Sequence, residues 1–186
     1  MNTNWHSIFN NFKKIKVLIV GDAMIDSYMW GTINRQSPEA PIPIVDIEKH
    51  EKRLGGAANV ASHIKALGAT PILCSVIGNE DKGFFDLMKR ENLSAKGILQ
   101  EERKTTVKIR VISENKHQLR VDEEDTFPIT NESDFIKHTT DLMSNVNVVI
   151  FQDYNKGVLT KDVINSLVEF ASKKQIPTLV DPKKEN

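Results

Sequence analysis

Two carboxylates, Asp22 and Asp26, follow directly on the apolar run Val17-Leu18-Ile19-Val20-Gly21. Polar groups just past the carboxyl end of a buried strand sit where open α/β sheets bind their ligands. An ionised carboxylate only accepts hydrogen bonds, so in a partly buried cleft it suits a ligand rich in hydroxyls. The alternative is that Asp22 caps a turn and Asp26 is solvated. Gly55-Gly56-Ala57-Ala58-Asn59-Val60-Ala61 is a second candidate. Two glycines opening a helix admit close approach of a ligand and leave backbone N–H groups free, and Asn59 adds a donor and an acceptor one turn in. Read without function, it is a flexible helix start with alanines for packing. Gln152-Asp153-Tyr154-Asn155-Lys156-Gly157 follows a further apolar run and offers a carboxylate, an amide and an ammonium, and Lys183 follows another. The ends of several neighbouring strands thus carry groups suited to a polyhydroxylated, anionic ligand.

Other motifs carry less. Gly78-Asn79-Glu80-Asp81-Lys82-Gly83 has phosphate-loop spacing, but Phe84-Phe85 stand where Lys and Ser/Thr are required. No Gly-x-Gly-x-x-Gly follows the first apolar run, against a nicotinamide-binding fold. Cys74 lies within an apolar run and reads as a small buried hydrophobe. The five histidines show no metal-ligand spacing, and Asp122-Glu123-Glu124-Asp125 reads as a solvated turn.

These groups need a scaffold. A continuous apolar run at residues 17–20 predicts a strand buried on both faces of a parallel sheet, residues 72–77 a second buried strand, and residues 146–151 and 178–180 a third and a fourth strand. Helices are expected over residues 5–12, 55–67 (stopped by Gly68), 81–91 and 161–174 (capped by Thr160). Strands alternating with helices make an α/β sheet with helices on both faces, a three-layer arrangement. Residues 42–54 and 105–122 instead alternate apolar with charged, as half-exposed antiparallel strands do, and residues 113–117 predict a hairpin turn. The expected organisation is an α/β body over residues 1–24, 54–100 and 126–186, with a small β-sheet lid inserted at 25–53 and 101–125. The last strand has no crossover helix after it, so the chain reads as the first part of a longer protein.

With 25 Lys+Arg against 25 Asp+Glu in 186 residues, the chain lacks the positive surplus of a nucleic-acid binder. One cysteine excludes an internal disulfide framework. No apolar stretch approaches the ~18 residues of a membrane helix, and the N-terminus lacks a signal-peptide pattern, so a cytoplasmic protein is expected.

The combination resembles the ribokinase-like (PfkB) carbohydrate kinases. Gly21-Asp22 with Asp26, and Gly55-Gly56-Ala57-x-Asn59-x-Ala61, carry the family likeness. Ser37-Pro38-Glu39-Ala40-Pro41, Lys108-x-Arg110, Arg120-x-Asp122-x-Glu124, Asp153-Tyr154-x-Lys156-Gly157 and Asp181-Pro182-Lys183 make it similar to the D-glycero-β-D-manno-heptose 7-phosphate kinase branch. The resemblance implies ATP- and Mg²⁺-dependent phosphorylation of the C1 hydroxyl of the heptose phosphate, on the route to ADP-heptose and the lipopolysaccharide core. It assigns Asp22, Asp26, Gly55, Gly56 and Asn59 to sugar contacts. Lys156 and Lys183, with Arg110 or Arg120 from the lid, suit the phosphates, and Asp153 accompanies them. The family's Gly-Ala-Gly-Asp segment with the catalytic base, its Asn-x-x-Glu segment and its nucleotide pocket are expected beyond Asn186. The fragment alone is therefore expected to bind without turnover, and the lid to pair in a homodimer. The competing readings are another sugar or nucleoside kinase of the family and a short non-catalytic sugar-binding protein.

Overall fold

The computed structural model describes residues 5–183. A short helix, α1 (Trp5–Phe12), leads into β1 (Lys16–Gly21), the centre of a five-stranded sheet. The apolar run of β1 is buried on both faces, as a central parallel strand must be. Val17 and Ile19 enter one core cluster, Leu18 and Val20 the other.

After β1 the chain leaves this sheet. The strands β2 (Ala23–Gln36) and β3 (Pro43–Gly56) form a long antiparallel pair, joined through Gly56 to α2 (Ala57–Ala66). The chain returns as β4 (Thr70–Gly78), α3 (Phe84–Arg90) and β5 (Gly97–Glu101). It leaves again as the hairpin β6 (Val107–Ser113) and β7 (Lys116–Glu123), then completes α4 (Glu132–Met143), β8 (Val148–Gln152), α5 (Lys161–Lys173) and β9 (Thr178–Asp181). The main sheet runs β5-β4-β1-β8-β9, all parallel, and the second runs β3-β2-β6-β7. Helices α2 and α3 pack on one face, α4 and α5 on the other.

The α/β architecture with a small second sheet matches the expectation from sequence. Several local devices match as well. The Thr160 hydroxyl accepts from the Val163 N–H and caps α5. Gly68 closes α2 with a left-handed φ of 94°. Glu114 and Asn115, both at positive φ, form the hairpin turn.

Other details differ. Gly55 and Gly56 finish β3, and the helix starts at Ala57. β2 pairs in parallel with β6, so the second sheet is mixed and not wholly antiparallel. β5 and α4 had no counterpart in the sequence reading. β5 is a five-residue edge strand, and α4 buries only Phe135, Thr139 and Met143, which leaves little periodicity to see. Among the described residues no helix is long and apolar enough to cross a membrane.

Candidate functional site

The order of the main sheet fixes where a ligand fits. The chain moves outward from β1 through β4 to β5 on one side, then through β8 to β9 on the other. The carboxyl ends of β1 and β8 therefore flank the point where the order reverses, and a crevice opens there. A cleft of about 570 Å³ lies at this end, between the main sheet and one face of the second.

Asp22 sits at the corner between β1 and β2, 1% exposed. Its Oδ2 accepts from the N–H groups of Tyr154 (2.8 Å) and Lys156 (3.1 Å), and its Oδ1 from that of Val158 (3.1 Å). Burial pushes its carboxyl above the ordinary value, and these three amides oppose the shift. The capping alternative thus describes Asp22: both oxygens face the backbone of the loop after β8, and it does not line the large cleft. These bonds tie it to the loop that carries Tyr154, Asn155 and Lys156. Asp153, 7% exposed, also lies outside the cleft lining and accepts from the Asn155 N–H at 2.7 Å.

Asp26, two pleats along β2, does line the cleft, with an ion pair to Arg110. Gly55 lies across the ladder beside it. A Cβ on Gly55 would meet Asp26 Oδ2 at 2.6 Å and Met24 Cγ at 2.8 Å, so only glycine leaves the carboxylate where it is. Gly56 takes a left-handed φ of 57° and turns the strand into α2. Asn59 is exposed and is not part of the cleft lining.

Strand alternation places Lys108 and Arg110 of β6, and Arg120 and Asp122 of β7, on the cleft-facing side. Glu124, Lys156 and Lys183 complete the charged lining. Five cations (Lys108, Arg110, Arg120, Lys156, Lys183) face three carboxylates (Asp26, Asp122, Glu124), a surplus of two positive charges. Lys108 bonds Asp122 at 2.8 Å and Glu124 at 2.7 Å, Lys156 bonds Glu124 at 2.8 Å, and Arg120 bonds Asp122 at 2.9 Å. Lys108 and Arg120 hold Asp122 below the usual carboxylate range. Burial pushes Glu124 upward, but Lys108 and Lys156 outweigh it and hold it low. Lys183 has no ion-pair partner among the described residues. Burial, reinforced by the charges of Asp181 and Asp26, raises the Tyr154 phenol.

The structure thus gathers Asp26, Arg110, Arg120, Lys156 and Lys183 around one cleft, with Gly55 against Asp26. Asp22 and Asp153 lie beneath, and Asn59 to the side. The acidic run is no solvated turn: Asp122 and Glu124 line the cleft, Glu123 pairs with Lys82 at 3.2 Å, and Asp125 accepts from the Lys104 N–H at 2.8 Å. Arg103 is a further residue missed in the sequence. Its side chain is 3% exposed, pairs with Glu101 at 3.1 Å and donates to the carbonyls of Lys156 (2.6 Å) and Phe127 (3.3 Å). The backbone of Lys156 is therefore held on both sides of its Cα, by Asp22 at its N–H and Arg103 at its C=O. The only signal for Arg103 was a charged residue between two apolar segments, which is no signal at all.

Chemically the site can accept hydroxyl protons at Asp26, hold phosphate oxygens on its surplus cations and stack a ring against Tyr154. No cluster of three acidic, His or Cys ligands occurs among the described residues, and the three cleft carboxylates each pair with a Lys or Arg.

A family model described as pfkB family carbohydrate kinase matches residues 14–186. Two proteins named bifunctional protein HldE are similar to this chain. The one from Campylobacter jejuni subsp. doylei is 41% identical over 94% of this chain, and the one from Trichlorobacter lovleyi is 41% identical over 95%. In both cases the match covers 37% of the relative, so the chain spans little more than a third of their length. A solved structure described as a possible 1-phosphofructokinase from Thermotoga maritima superposes with a TM-score of 0.71 at 17% identity, over 92% of this chain and 54% of that one. That likeness speaks for the fold.

Proposed function

Since the chain belongs to the pfkB family of carbohydrate kinases, we propose that it supplies the sugar-binding share of an ATP-dependent kinase acting at the C1 hydroxyl of D-glycero-β-D-manno-heptose 7-phosphate. The observation that carries this reading is the cleft itself, where a carboxylate closely backed by Gly55 shares the lining with five cations. A hydroxyl-accepting group beside a positive surplus fits a phosphorylated sugar better than a neutral one. The relatives named HldE support the heptose branch over others in the family. Asp26 takes sugar hydroxyls. Lys156 and Lys183, with Arg110 and Arg120 from the second sheet acting as a lid, take phosphate oxygens. Asp22, Gly56 and Arg103 hold the loop and turn that present them. When bound, ATP with Mg²⁺ supplies the transferred phosphoryl group.

The face of the lid turned away from the cleft also fits a second copy of the chain. Val111 pairs with Leu119 and Ile109 with Val121 on that face, and Leu119 and Val121 are 58% and 46% exposed. Light scattering that reports a monomer would refute a lid-paired homodimer.

Calorimetric titration with heptose 7-phosphate tests the main proposal. Saturable binding is expected for the 7-phosphate, weaker binding for the unphosphorylated heptose, and loss of that difference in Lys156→Glu. Tighter binding of fructose 6-phosphate would move the assignment to another sugar kinase of the family. ADP formation by these 186 residues alone would overturn the division of labour.

A further inference from the structure

We propose that Glu124 is a built-in counter-anion for the ligand's phosphate: it keeps Lys108 and Lys156 in a phosphate-bridging arrangement and sets how strongly the cleft discriminates among anions. The inference rests on the reading of this cleft as a sugar-phosphate site.

Glu124 places one oxygen on each of two ammonium groups, Oε2 on Lys108 and Oε1 on Lys156. The three side chains are only 20%, 13% and 17% exposed, so the lysines are partly desolvated and would repel each other without an anion between them. They come from different parts of the fold, β6 and the loop after β8, which the carboxylate ties together. A phosphate dianion can reproduce the same bridge. It offers two oxygens in similar positions, a third for Arg110, Arg120 or Lys183, and twice the charge. A neutral hydroxyl cannot displace a carboxylate held by two cations.

The place of Glu124 in the chain suits displacement. It stands one residue beyond the end of β7, so its side chain can leave the cleft without breaking the ladder. Lys108 then keeps Asp122 as a partner at 2.8 Å. Any entering anion must first break two ion pairs. A monoanion gains too little to do so, whereas a phosphate ester dianion gains enough. Glu124 thus weakens anion binding in general and biases what remains towards phosphate.

Inorganic phosphate is the probe, titrated by calorimetry into the chain and into Glu124→Gln, Glu124→Asp and Lys156→Gln. Glu124→Gln should bind phosphate about tenfold more tightly, the change expected when two partly buried ion pairs no longer have to be broken. Glu124→Asp keeps the charge but reaches the two ammonium groups poorly, and should fall between. It also serves as the test if the Gln variant does not fold. Lys156→Gln should bind less. Unchanged or weaker phosphate binding in both Glu124 variants, with Lys156 still required, would overturn the counter-anion role alone and make Glu124 a hydroxyl acceptor or a structural tie. Absence of phosphate binding in every protein would overturn the sugar-phosphate reading and this inference together.

Discussion

Replacing Gly55 by alanine isolates the contact between the second glycine-bearing turn and the site carboxylate. The added Cβ would stand 2.6 Å from Asp26 Oδ2, 2.9 Å from Asp26 Cγ and 2.8 Å from Met24 Cγ. Ordinary contact begins near 3.4 Å, so the Asp26 carboxylate must retreat by about 0.8 Å. The φ of Gly55 is not in the left-handed region, so the backbone accepts alanine and the whole effect is steric. Asp26 cannot retreat without disturbing Arg110, whose side chain and its own are each 20% exposed. Overpacking of this kind costs about 1–3 kcal/mol of stability. A misplaced hydrogen bond to a charged acceptor costs about 1.5–3 kcal/mol of ligand binding, or roughly tenfold or more. Urea melting and calorimetric titration with heptose 7-phosphate measure the two separately. In Asp26→Ala two of the three crowded atoms are gone, so adding Gly55→Ala there should cost much less than in the wild type. Wild-type binding in Gly55→Ala, or full additivity with Asp26→Ala, would refute the argument.

Arg103→Lys should lose about 2–3 kcal/mol in urea melting: an ammonium cannot span Glu101 and the carbonyls of Phe127 and Lys156, and one of these groups is left buried without a partner. Acid should loosen the lid. Asp122 and Glu124 are held below their ordinary values, so their contribution is complete above the unfolded values, 3.8 and 4.5, and is lost as pH falls through the lower folded values. Thermal melting between pH 7 and 3 should show this fall, and Lys108→Gln should flatten it. Cys74 is buried, and burial pushes its thiol up to about 12. It should resist a disulfide-exchange reagent at pH 8 in the folded protein and react at once in denaturant.

The scaffold was legible because its signals are local. A strand covered on both faces must be apolar throughout, and residues 17–20 announce that without reference to anything else. Thr160, Gly68 and the hairpin turn are read from chemistry acting within a few residues. Asp26, Lys156 and Lys183 stood out because polar groups after apolar runs collect at the carboxyl edge of such a sheet, whereas Arg110 and Arg120 were drawn in by the family resemblance.

Which of these groups line the cleft and which bond the backbone beneath it depends on tertiary structure. Asp22 and Asp26 look alike in the chain, yet Asp22 is occupied by amides 132 to 136 residues away, brought beside it because β8 pairs with β1. Glu124 looks like one acid in a solvated run until the crossover sets Lys156 opposite it, 32 residues on. Periodicity reports how one element divides its own faces between core and water. The partner of a charge depends on which elements the topology makes neighbours, and that information is spread along the whole chain.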